Sequence, residues 1–376
     1  MTLCAKKNEG SDQVNRYYSA VILFAVLAMA MLAVMIWRNE ALAKKKKYGM
    51  VLAAVLIIVS AVCEYLGVRM TGASAKWRVL HSLVKFLEFS AAPASGVVFA
   101  GSVFPLRGKR WIRLALVLHA ALEFLSMFRG IVFFVDADNV YMHCRFYAVY
   151  SLAYALSILL VIVQCVRFML LHQNRNKLGL VMISLFVLLG IEWQFFDGGT
   201  KVVWLSVAIG YVFFYIYYCD ILQQTDKLTG LLNRRSYENR LVLERKPVWV
   251  LMADVDEFKE VNDKKGHHFG DVCLSRIGEA LKSTYGRYGL CYRIGGDEFC
   301  VILHRVDAPQ EDLRELFEAK LEEARRADPD FPFVSVGCAR FDPKETTLEG
   351  AAIQADLIMY ECKQRAKRER EKNEIR

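Results

Sequence analysis

The chain has 376 residues, of which 55% are apolar and 24% are charged, and its net charge is +9. These averages combine two unlike parts: apolar blocks with short polar joints extend to about Cys219, whereas the sequence from Ile221 is mixed and charged like a soluble domain. The succession of long apolar blocks excludes a wholly soluble protein. The basic run Lys44 to Lys47 and the basic tail from Lys363 are not interpreted as nucleic-acid patches, so no nucleic-acid partner is predicted.

Seven blocks are long enough to cross a bilayer, which requires about 20 apolar residues per helix. We place them at residues 17–37, 48–68, 79–104, 111–135, 147–171, 178–196 and 201–219. The first block follows a polar stretch and is too long for a cleaved signal peptide. The sequence therefore predicts an extracytoplasmic N-terminus at residues 1–16, a seven-helix membrane bundle at 17–219 that anchors the chain and senses a signal, and a cytosolic domain at 220–376.

Basic residues in the joints predict the orientation, because they favour the cytoplasmic side of a membrane. The first, third and fifth joints are basic: Arg38 with Lys44 to Lys47, then Arg107, Lys109 and Arg110, then Arg175 and Lys177. The fourth joint contains Asp136 and Asp138 and the sixth contains Asp197, while the basic second joint is an exception. This pattern predicts a multi-pass protein of the cytoplasmic membrane, in contact with its lipids, with the N-terminus outside and the C-terminal domain in the cytosol.

Ionisable residues inside membrane spans are costly and suggest a function. They map to the outer half or the middle of the predicted spans and are Glu64, His81, Lys85, Glu88, His119, Glu123, Arg129 and Glu192. Helical spacing places His81, Lys85 and Glu88 on one face, and His119 and Glu123 on another. Two interpretations stay open: a polar pocket, open to the outside, for an unknown small ligand or ion, or interhelical bonds that only hold the bundle together.

In the C-terminal part, a predicted buried strand runs from Pro247 to Val255 and leads into Asp254-Val255-Asp256. Carboxylates at a strand end are candidate metal ligands. A predicted loop at residues 264–268 then leads to a helix that opens at Gly270-Asp271 and has apolar residues at helical spacing. Taken alone, Asp271 is better explained as the N-cap of this helix than as a binding residue.

The segment Arg293-Ile294-Gly295-Gly296-Asp297-Glu298-Phe299 lies between two short predicted strands, 291–294 and 299–303. A glycine pair in this position favours a hairpin, because glycine reaches positive φ without strain. Asp297 and Glu298 would project from a rigid corner. They are either solvated acids of a surface turn or part of a metal site.

A helix at about 310–326, a strand at 333–340 and a helix at about 348–368 complete the predicted elements. Alternating strands and helices predict an α/β sandwich in which the strand of Asp254 and the hairpin of Asp297 lie side by side. Such carboxylates suit Mg²⁺, or Mn²⁺ in its place, together with substrate phosphates. The ten cysteines have no metal-type spacing and are assigned no chemistry.

Four motifs in this order resemble the GGDEF family of diguanylate cyclases. They are Asp226-Lys-Leu-Thr-Gly-Leu-Leu-Asn-Arg-Arg235, Asp254-Val-Asp-Glu-Phe-Lys-Glu-Val-Asn-Asp263, Gly266-His-His-Phe-Gly-Asp271 and Arg293 to Phe299. The resemblance covers residues 221–368 and implies an α/β domain that is cyclase- or polymerase-palm-like, with a mainly antiparallel central sheet. It also implies condensation of two GTP molecules into cyclic di-GMP and two pyrophosphates, in a homodimer whose two domains face each other.

The resemblance implies roles for matching residues. Asp254, the carbonyl of Val255 and Asp297 would hold Mg²⁺, and Glu298 would be a base for the attacking 3′-hydroxyl or a further ligand. The second implied catalytic residue is Lys259, which would neutralise phosphate charge.

The implied substrate-binding residues are Leu228, Phe258, Asn262, Asp271, Lys363 and Lys367. Among them, Lys363 and Lys367 would contact the triphosphate, while Asn262 and Asp271 would bind the guanine edge. A carboxylate accepts hydrogen bonds from the N1–H and amino groups of guanine, a pattern that adenine lacks, so Asp271 favours GTP over ATP.

Two departures from the family pattern carry expectations. Many relatives have an Arg-x-x-Asp product-binding site before the signature, where this chain has Gly286 and Gly289, so no product-inhibition site is predicted. In the final helix, Ala366 replaces a usual glycine and Arg368 a common asparagine, which we expect to alter the helix end but not its charge.

Three alternatives stay open beside the membrane-bound cyclase. The domain could make a different cyclic dinucleotide, although Asp271 disfavours this, or it could be a non-catalytic receptor for GTP or a cyclic dinucleotide that regulates a partner. A transporter has little support, since no paired repeat is evident. Because only a few residues separate the seventh block from Asp226, that helix is predicted to run directly into the catalytic domain and to transmit the signal.

Overall fold

Seven α-helices make up most of the N-terminal part of the computed structural model, which describes residues 2–106, 108–171, 177–196, 201–304 and 310–374. Within these residues the helices are α1 (Thr2–Arg38), α2 (Lys44–Met70), α3 (Arg78–Val103), α4 (Lys109–Arg129), α5 (Tyr147–Leu171), α6 (Lys177–Phe196) and α7 (Val203–Gln224), with a short 3-10 helix at Ala75–Trp77. The described residues up to Tyr218 form one compact unit, and those from Cys219 form a second.

The length and hydropathy of the helices support a membrane-spanning N-terminal region. Within the described residues, six segments are long and apolar enough to cross a bilayer: Tyr17–Arg38, Lys44–Met70, Ala75–Val103, Lys109–Arg129, Tyr147–Phe168 and Val203–Gln224. The apolar segment of α6, Leu178–Trp193, is shorter. The count of seven spans and the orientation stay predictions, and Arg107, Arg175 and Asp197 of the orientation argument lie outside the described residues.

The fourth apolar block is divided differently from the prediction. It was predicted as one span at 111–135, but α4 ends at Arg129 because Gly130 adopts a left-handed φ of 60°. A hairpin of β1 (Phe133–Val135) and β2 (Tyr141–His143) follows. The Ser126 hydroxyl donates to the Phe133 carbonyl at 2.9 Å and accepts from two backbone N–H groups, which fixes the turn. Periodicity cannot separate a short buried strand from the end of an apolar helix, so the prediction was wrong here.

The C-terminal unit contains a five-stranded mixed sheet. Its strands are β3 (Leu232–Asn233), β4 (Val248–Val255), β5 (Gly289–Arg293), β6 (Glu298–Leu303) and β7 (Val334–Phe341), in the order β3-β5-β6-β4-β7. Its helices are α8 (Arg234–Leu243), α9 (Phe258–Lys265), α10 (His267–Tyr285), α11 (Gln310–Ala327) and α12 (Leu348–Glu374). Only the β3–β5 pairing is parallel within the described residues, so the predicted α/β class and mainly antiparallel sheet are confirmed, whereas the palm-like likeness stays a prediction.

Alternating residues of the strands supply two apolar cores, one on each face of the sheet. Leu251 of β4 lies in the core that α10 and α11 cover, whereas its neighbour Val250 lies in the core that α12 and α8 cover. A Cβ at Gly337 of β7 would lie 2.1 Å from the carbonyl oxygen of Ala355, so this glycine allows α12 to approach the sheet closely. The sheet therefore holds α12 beside the end of β4, where the predicted acidic site lies.

The junction between α9 and α10 corrects a second prediction. The loop expected at residues 264–268 is reduced to Gly266, which has a φ of 84°, and α10 begins at His267. Asp271 therefore lies inside the helix, and its interpretation as the N-cap was wrong. The preference for the cap arose because Gly270 resembles a residue that precedes a helix, although here it is a helical residue.

Candidate functional site

The acidic corner of the C-terminal unit is formed where β4 ends beside β6. Asp254 lies directly opposite Glu298 in the antiparallel register, and the N–H of Val255 donates to the carbonyl of Asp297 at 3.2 Å. Residues opposite each other in such a ladder have side chains on one face of the sheet. The structure thus brings together Asp254, Val255, Asp297 and Glu298, all four of the residues predicted for metal binding and general-base chemistry.

The turn that carries Asp297 depends on a close approach and not on positive φ. Neither Gly295 nor Gly296 has a left-handed φ, so the reason given above for the glycine pair was wrong. A Cβ at Gly295 would lie 2.4 Å from Oε2 of Glu298, whereas Gly296 has open space around it. Gly295 is therefore needed because the Glu298 side chain lies across it.

Arg293 fixes the other side of this turn. Its Nη2 donates to the carbonyl of Gly296 at 2.7 Å, and its Nη1 donates to Oδ1 of Asp226 at 3.1 Å. The same oxygen accepts from the N–H and the hydroxyl of Thr229. Although burial alone would raise the pKa of Asp226, these hydrogen bonds lower it overall, so Asp226 is a stable anion that holds Arg293. Sequence reasoning quoted both residues but missed this link.

The carboxylates of the corner repel one another when they are ionised. Burial, followed by the nearby Asp254 and Asp297, raises the pKa of Glu298. Burial also raises the pKa of Asp254, with Asp297 and Asp256 adding to the effect and Lys363 opposing it. Negative charges that raise one another's pKa are a site where a cation binds favourably.

A divalent cation fits the donors of this corner. Among the described residues, no three His, Cys, Asp or Glu side chains form a complete metal site. Mg²⁺ needs no such cage, since it is commonly bound by one or two carboxylates plus substrate phosphates. Asp254, the carbonyl of Val255 and Asp297 could supply the protein's share of the oxygens, and Glu298 lies next to them.

One face of α12 places cations along the acidic corner. Lys363 contacts Asp254, and Nζ of Lys367 lies 3.6 Å from Oε1 of Glu257. Burial alone would lower the pKa of Lys363, but its hydrogen bond to Asp254 raises it overall, so its amine stays protonated. Both lysines predicted to contact the triphosphate therefore lie beside carboxylates at or next to the acidic corner.

A third pair anchors this face of α12. Arg370 contacts the Asp256 side chain, which is only 4% exposed, and Ser335 Oγ donates to the other oxygen of Asp256 at 2.7 Å. The Arg370 guanidinium also lies 4.6 Å from the ring centre of Phe333. Sequence reasoning missed this anchor, although its helical signal was present, since Arg370 follows Lys363 by two turns.

The residues predicted to bind guanine lie around α9 and the start of α10. Asn262 is half-buried, and a Cβ at Gly270 would lie 2.1 Å from its Oδ1, so the absence of a side chain at Gly270 gives Asn262 its position. Asp271, the next residue, is exposed, as is Lys259. Leu228 and Phe258 are partly buried and pack against the core under α10. The contacts with this core hold both side chains in place.

The absence of the product-binding pair has a structural counterpart. Gly286 caps the C-terminus of α10, and Gly289 begins β5. A Cβ at Gly289 would lie 2.1 Å from the backbone oxygen of Ile302 on the neighbouring strand. Backbone cannot move aside as a flexible side chain can, so an aspartate does not fit at this position.

Six of the eight ionisable residues predicted within the membrane spans are buried, whereas Arg129 is exposed at the end of α4. The buried residues are Glu64, His81, Lys85, Glu88, His119 and Glu123. Lys85 pairs with Glu88 at 2.8 Å, whereas Glu64 lies 3.5 Å from Lys201 and accepts from Trp204 Nε1. Nδ1 of His81 lies 3.0 Å from the side-chain oxygen of Asn139, which lies in the turn between β1 and β2. Glu192 is exposed on α6 and does not join them.

His119 and Glu123 differ from the other members of this group. Pro93 within α3 has no N–H for the carbonyl of Phe89 four residues earlier, and Nε2 of His119 bonds to that carbonyl at 3.1 Å. Both carboxylate oxygens of Glu123 are buried with no hydrogen-bond partner among the described residues. Most of the group makes interhelical or local bonds, so the structural interpretation accounts for more of these residues than a ligand pocket does.

Comparison with known proteins shows which family the C-terminal unit resembles. A family profile described as "Diguanylate cyclase, GGDEF domain" matches residues 223–369. Diguanylate cyclase DgcP of Escherichia coli is 35% identical over 37% of this chain and 44% of its own length, and diguanylate cyclase DgcS of Shewanella oneidensis is 41% identical over 37% and 49%. This chain thus spans less than half of either cyclase.

A third relative is matched over most of its length. It is an uncharacterized 19.3 kDa protein in the repSA 5′ region of Streptomyces ambofaciens, 36% identical over 38% of this chain and 80% of that protein. The residues that the family profile matches, 223–369, contain the acidic corner, the Arg293 turn and the lysines of α12. The chain belongs to the GGDEF family, with residues 223–369 as its diguanylate cyclase GGDEF domain.

Proposed function

We propose that this protein is a membrane-bound diguanylate cyclase that condenses two GTP molecules into cyclic di-GMP and two pyrophosphates. The observation that carries the proposal is the corner in which Asp254 and Glu298 face each other beside Asp297 and under Lys363. A receptor that only binds a nucleotide has no need for carboxylates that raise one another's pKa, whereas a metal-dependent phosphoryl transfer does.

Each domain would hold one GTP and supply one 3′-hydroxyl to the other domain's nucleotide. Asp254, Val255 and Asp297 would hold Mg²⁺ or Mn²⁺, which supplies charge neutralisation at the phosphates. Glu298, whose pKa is raised, would take the proton of the 3′-hydroxyl as its oxygen attacks the α-phosphorus and pyrophosphate leaves. Since a single domain completes only one of the two bonds, the active species is a homodimer.

The other predicted residues would select and neutralise the substrate. Asn262 and Asp271 would bind the guanine edge, with Leu228 and Phe258 below them against the core. Lys363 and Lys367 lie on the face of α12 that borders the carboxylates, and together with Lys259 they would neutralise the triphosphate. In this arrangement catalysis comes from positioning and charge neutralisation.

Product identification tests the proposal. The full chain in lipid nanodiscs, incubated with Mg²⁺ and either GTP or ATP, is expected to release cyclic di-GMP from GTP alone, as read by mass spectrometry. Asp297→Ala and Glu298→Gln should each abolish this product while the chain stays monodisperse. Undiminished product from both variants would refute the assigned site.

We also propose that the membrane region controls the cyclase through α7, with the catalytic domain in the cytosol, where GTP is available. This helix runs from Val203 to Gln224 and so crosses the boundary between the two units at residues 218–219. Rotation or displacement of α7 within a dimer would change how the two GTP sites meet.

Insertions in α7 test this route. Each residue turns a helix by about 100°, so two or three residues added after Gln223 should change the cyclase rate strongly, whereas seven residues, about two full turns, should change it less. Equal rates in all three insertion variants and in the unmodified chain would contradict control through α7.

A further inference from the structure

The N-terminal unit contains a partly open cavity of about 130 Å³ between α3, α5, α6 and α7, with Ile57 of α2 also in its lining. The wall contributed by α6 consists of Leu180, Ile183, Ser184, Val187, Leu188 and Ile191. These residues repeat at steps of three and four, so one complete face of α6 is directed at the cavity. That face forgoes the side-chain contacts it would make in a closely packed bundle.

The lining of the cavity is mostly apolar, and five of its polar side chains already donate a hydrogen bond within the protein. No Asp, Glu, Lys, Arg or His side chain is among the described residues that line it. The hydroxyls of Ser95, Ser157 and Ser184 each donate to a carbonyl of their own helix, and Trp204 Nε1 donates to Glu64. A charged ligand would find no counter-charge here, so an apolar lining of this kind favours an uncharged ligand.

The helices around the cavity touch at positions where glycines allow a close approach. A Cβ at Gly190 of α6 would lie 2.1 Å from Oγ of Ser206 in α7, and a Cβ at Gly210 of α7 would lie 2.2 Å from Cγ2 of Val187 in α6. On the opposite side, a Cβ at Gly96 of α3 would lie 2.9 Å from Oγ of Ser157 in α5. These contacts fix α6 against α7, and α3 against α5, on two sides of the open space.

We infer that this cavity binds an uncharged apolar group of about the size of a benzene ring, carried by a lipid-soluble molecule that enters from the bilayer. An engineered protein cavity of about 150 Å³ lined by Leu, Ile and Phe stays dry and binds benzene, which sets the size of the group. Phospholipid head groups and inorganic ions are excluded by their charge.

The occupant would contact the helix that leads to the catalytic domain. Trp204, Tyr211 and Phe214 of α7 form one wall of the cavity, and the Tyr211 hydroxyl donates to the Met50 carbonyl of α2 at 2.7 Å. An occupant that packs against these side chains changes the position that α7 prefers between α2 and α6. This regulatory part rests on the proposed function, whereas the binding itself does not.

A photoreactive aryl diazirine, which is a benzene ring bearing a light-activated group, tests the binding on the full chain in nanodiscs. We expect saturable adducts on the α7 segment 207–214, mapped by peptide mass spectrometry. Ile183→Trp, which fills the cavity, should lower these adducts about tenfold, whereas Ile183→Ala, which enlarges it, should retain them. Leu185 and Leu189 of α6 are exposed and serve as bilayer-facing controls whose labelling should not saturate.

The outcomes separate the possible occupants. Labelling of 207–214 that rises linearly with the probe and ignores Ile183→Trp means that acyl chains of the bilayer fill the space, and it overturns the inference, as does a lack of adducts on 207–214. If Ile183→Trp does not yield monodisperse protein, Val161→Phe on α5 fills the same cavity from the other side and takes its place.

The cyclase rate of the same samples tests the regulatory part. We expect filling the cavity to change the rate of cyclic di-GMP formation about threefold or more. An unchanged rate with lost labelling would overturn the regulatory part. Lack of product from the unmodified chain would overturn the proposed function, and the labelling would still decide the cavity.

Discussion

Asp254 and Glu298 face each other across two strands, and like charges directly opposite in a ladder are destabilising. Burial and this proximity raise the pKa of both groups. The corner is therefore less stable when its carboxylates are ionised, and a bound cation would offset that cost. This trade of stability for function is common at catalytic sites.

Glu298→Gln should abolish cyclic di-GMP formation and yet raise the unfolding temperature of the C-terminal unit near neutral pH. The pKa of Glu298 is higher in the folded state than in the unfolded state. Between these two pKa values the folded state binds more protons, so the stability falls as the pH rises through this interval and stays lower at neutral pH. Glutamine removes that loss. The measurement is thermal unfolding of a fragment from residue 219, followed by Trp249, its only tryptophan.

The pH dependence of the difference provides the control. At about pH 3, below the ordinary glutamate pKa, Glu298 is protonated in both states and the two unfolding temperatures should converge. A Gln variant that is less stable than the unmodified fragment at neutral pH would show that Glu298 makes a stabilising bond instead.

Gly270→Ala should raise the KM for GTP without lowering the unfolding temperature. The added Cβ would lie 2.1 Å from Oδ1 of Asn262, so this side chain must move away from its position. Alanine is favoured over glycine within a helix by up to about 1 kcal/mol, which offsets local strain. Steady-state kinetics of the full chain give the KM.

A double-mutant cycle isolates the cause. If Gly270→Ala acts through Asn262, it should have no further effect on KM when Asn262→Ala is already present. Additive effects of the two substitutions would mean that the glycine matters for another reason.

Among the elements, α12 is attached to the acidic strand end by Lys363, Lys367 and Arg370 along one face. The pair of Arg370 and Asp256 lies closest to the C-terminus of the helix. Neither residue is among those predicted to bind the nucleotide. Their contribution would be to position the two lysines.

Arg370→Ala should raise the KM for GTP more than it lowers kcat, and should cost about 1–3 kcal/mol of stability because it leaves buried Asp256 short of a partner. Arg370→Lys should restore part of both. The matched control is Arg368→Ala, on an exposed residue of the same helix. Equal kinetic effects of the two alanine variants would contradict a specific role for Arg370.

Strand β5 begins at Gly289, one of the two positions at which many relatives bind the product and are inhibited by it. We expect no inhibition by cyclic di-GMP through positions 286 and 289, and we expect the double substitution Gly286→Arg and Gly289→Asp to destabilise the domain without creating a product site. The physical reason is the 2.1 Å approach between a Cβ at 289 and the Ile302 carbonyl oxygen. Calorimetric titration with cyclic di-GMP measures this, and binding by a stable double variant would refute the argument.

The elements differ in how far the sequence could predict them. Strand β4 was predictable because a continuous apolar run ends in acids, and the predicted end of α11 was only one residue short. α4 and β1 merge into one apolar run, and only the φ of Gly130 and the bonds of Ser126 divide them. The predicted α12 ended at 368, because apolar spacing fades there, whereas Arg370 continues the helix through a contact with distant Asp256.

At the scale of the whole molecule, the chain joins an apolar helical unit to a GGDEF domain through α7. The sequence predicted the residues of the acidic corner by motif, but not the contacts beside them: the Arg293–Asp226 link and the Arg370–Asp256 anchor join residues far apart in sequence. The apolar cavity was likewise not predictable, because it depends on where close glycine contacts hold α6.

Condensation of two GTP molecules can be followed by ³¹P NMR of the full chain in nanodiscs during turnover with Mg²⁺ and GTP. We expect one pyrophosphate for each GTP consumed, together with a single phosphodiester resonance from a product with two equivalent phosphates. GTP that is bound but not consumed, or inorganic phosphate released without a phosphodiester, would contradict this expectation.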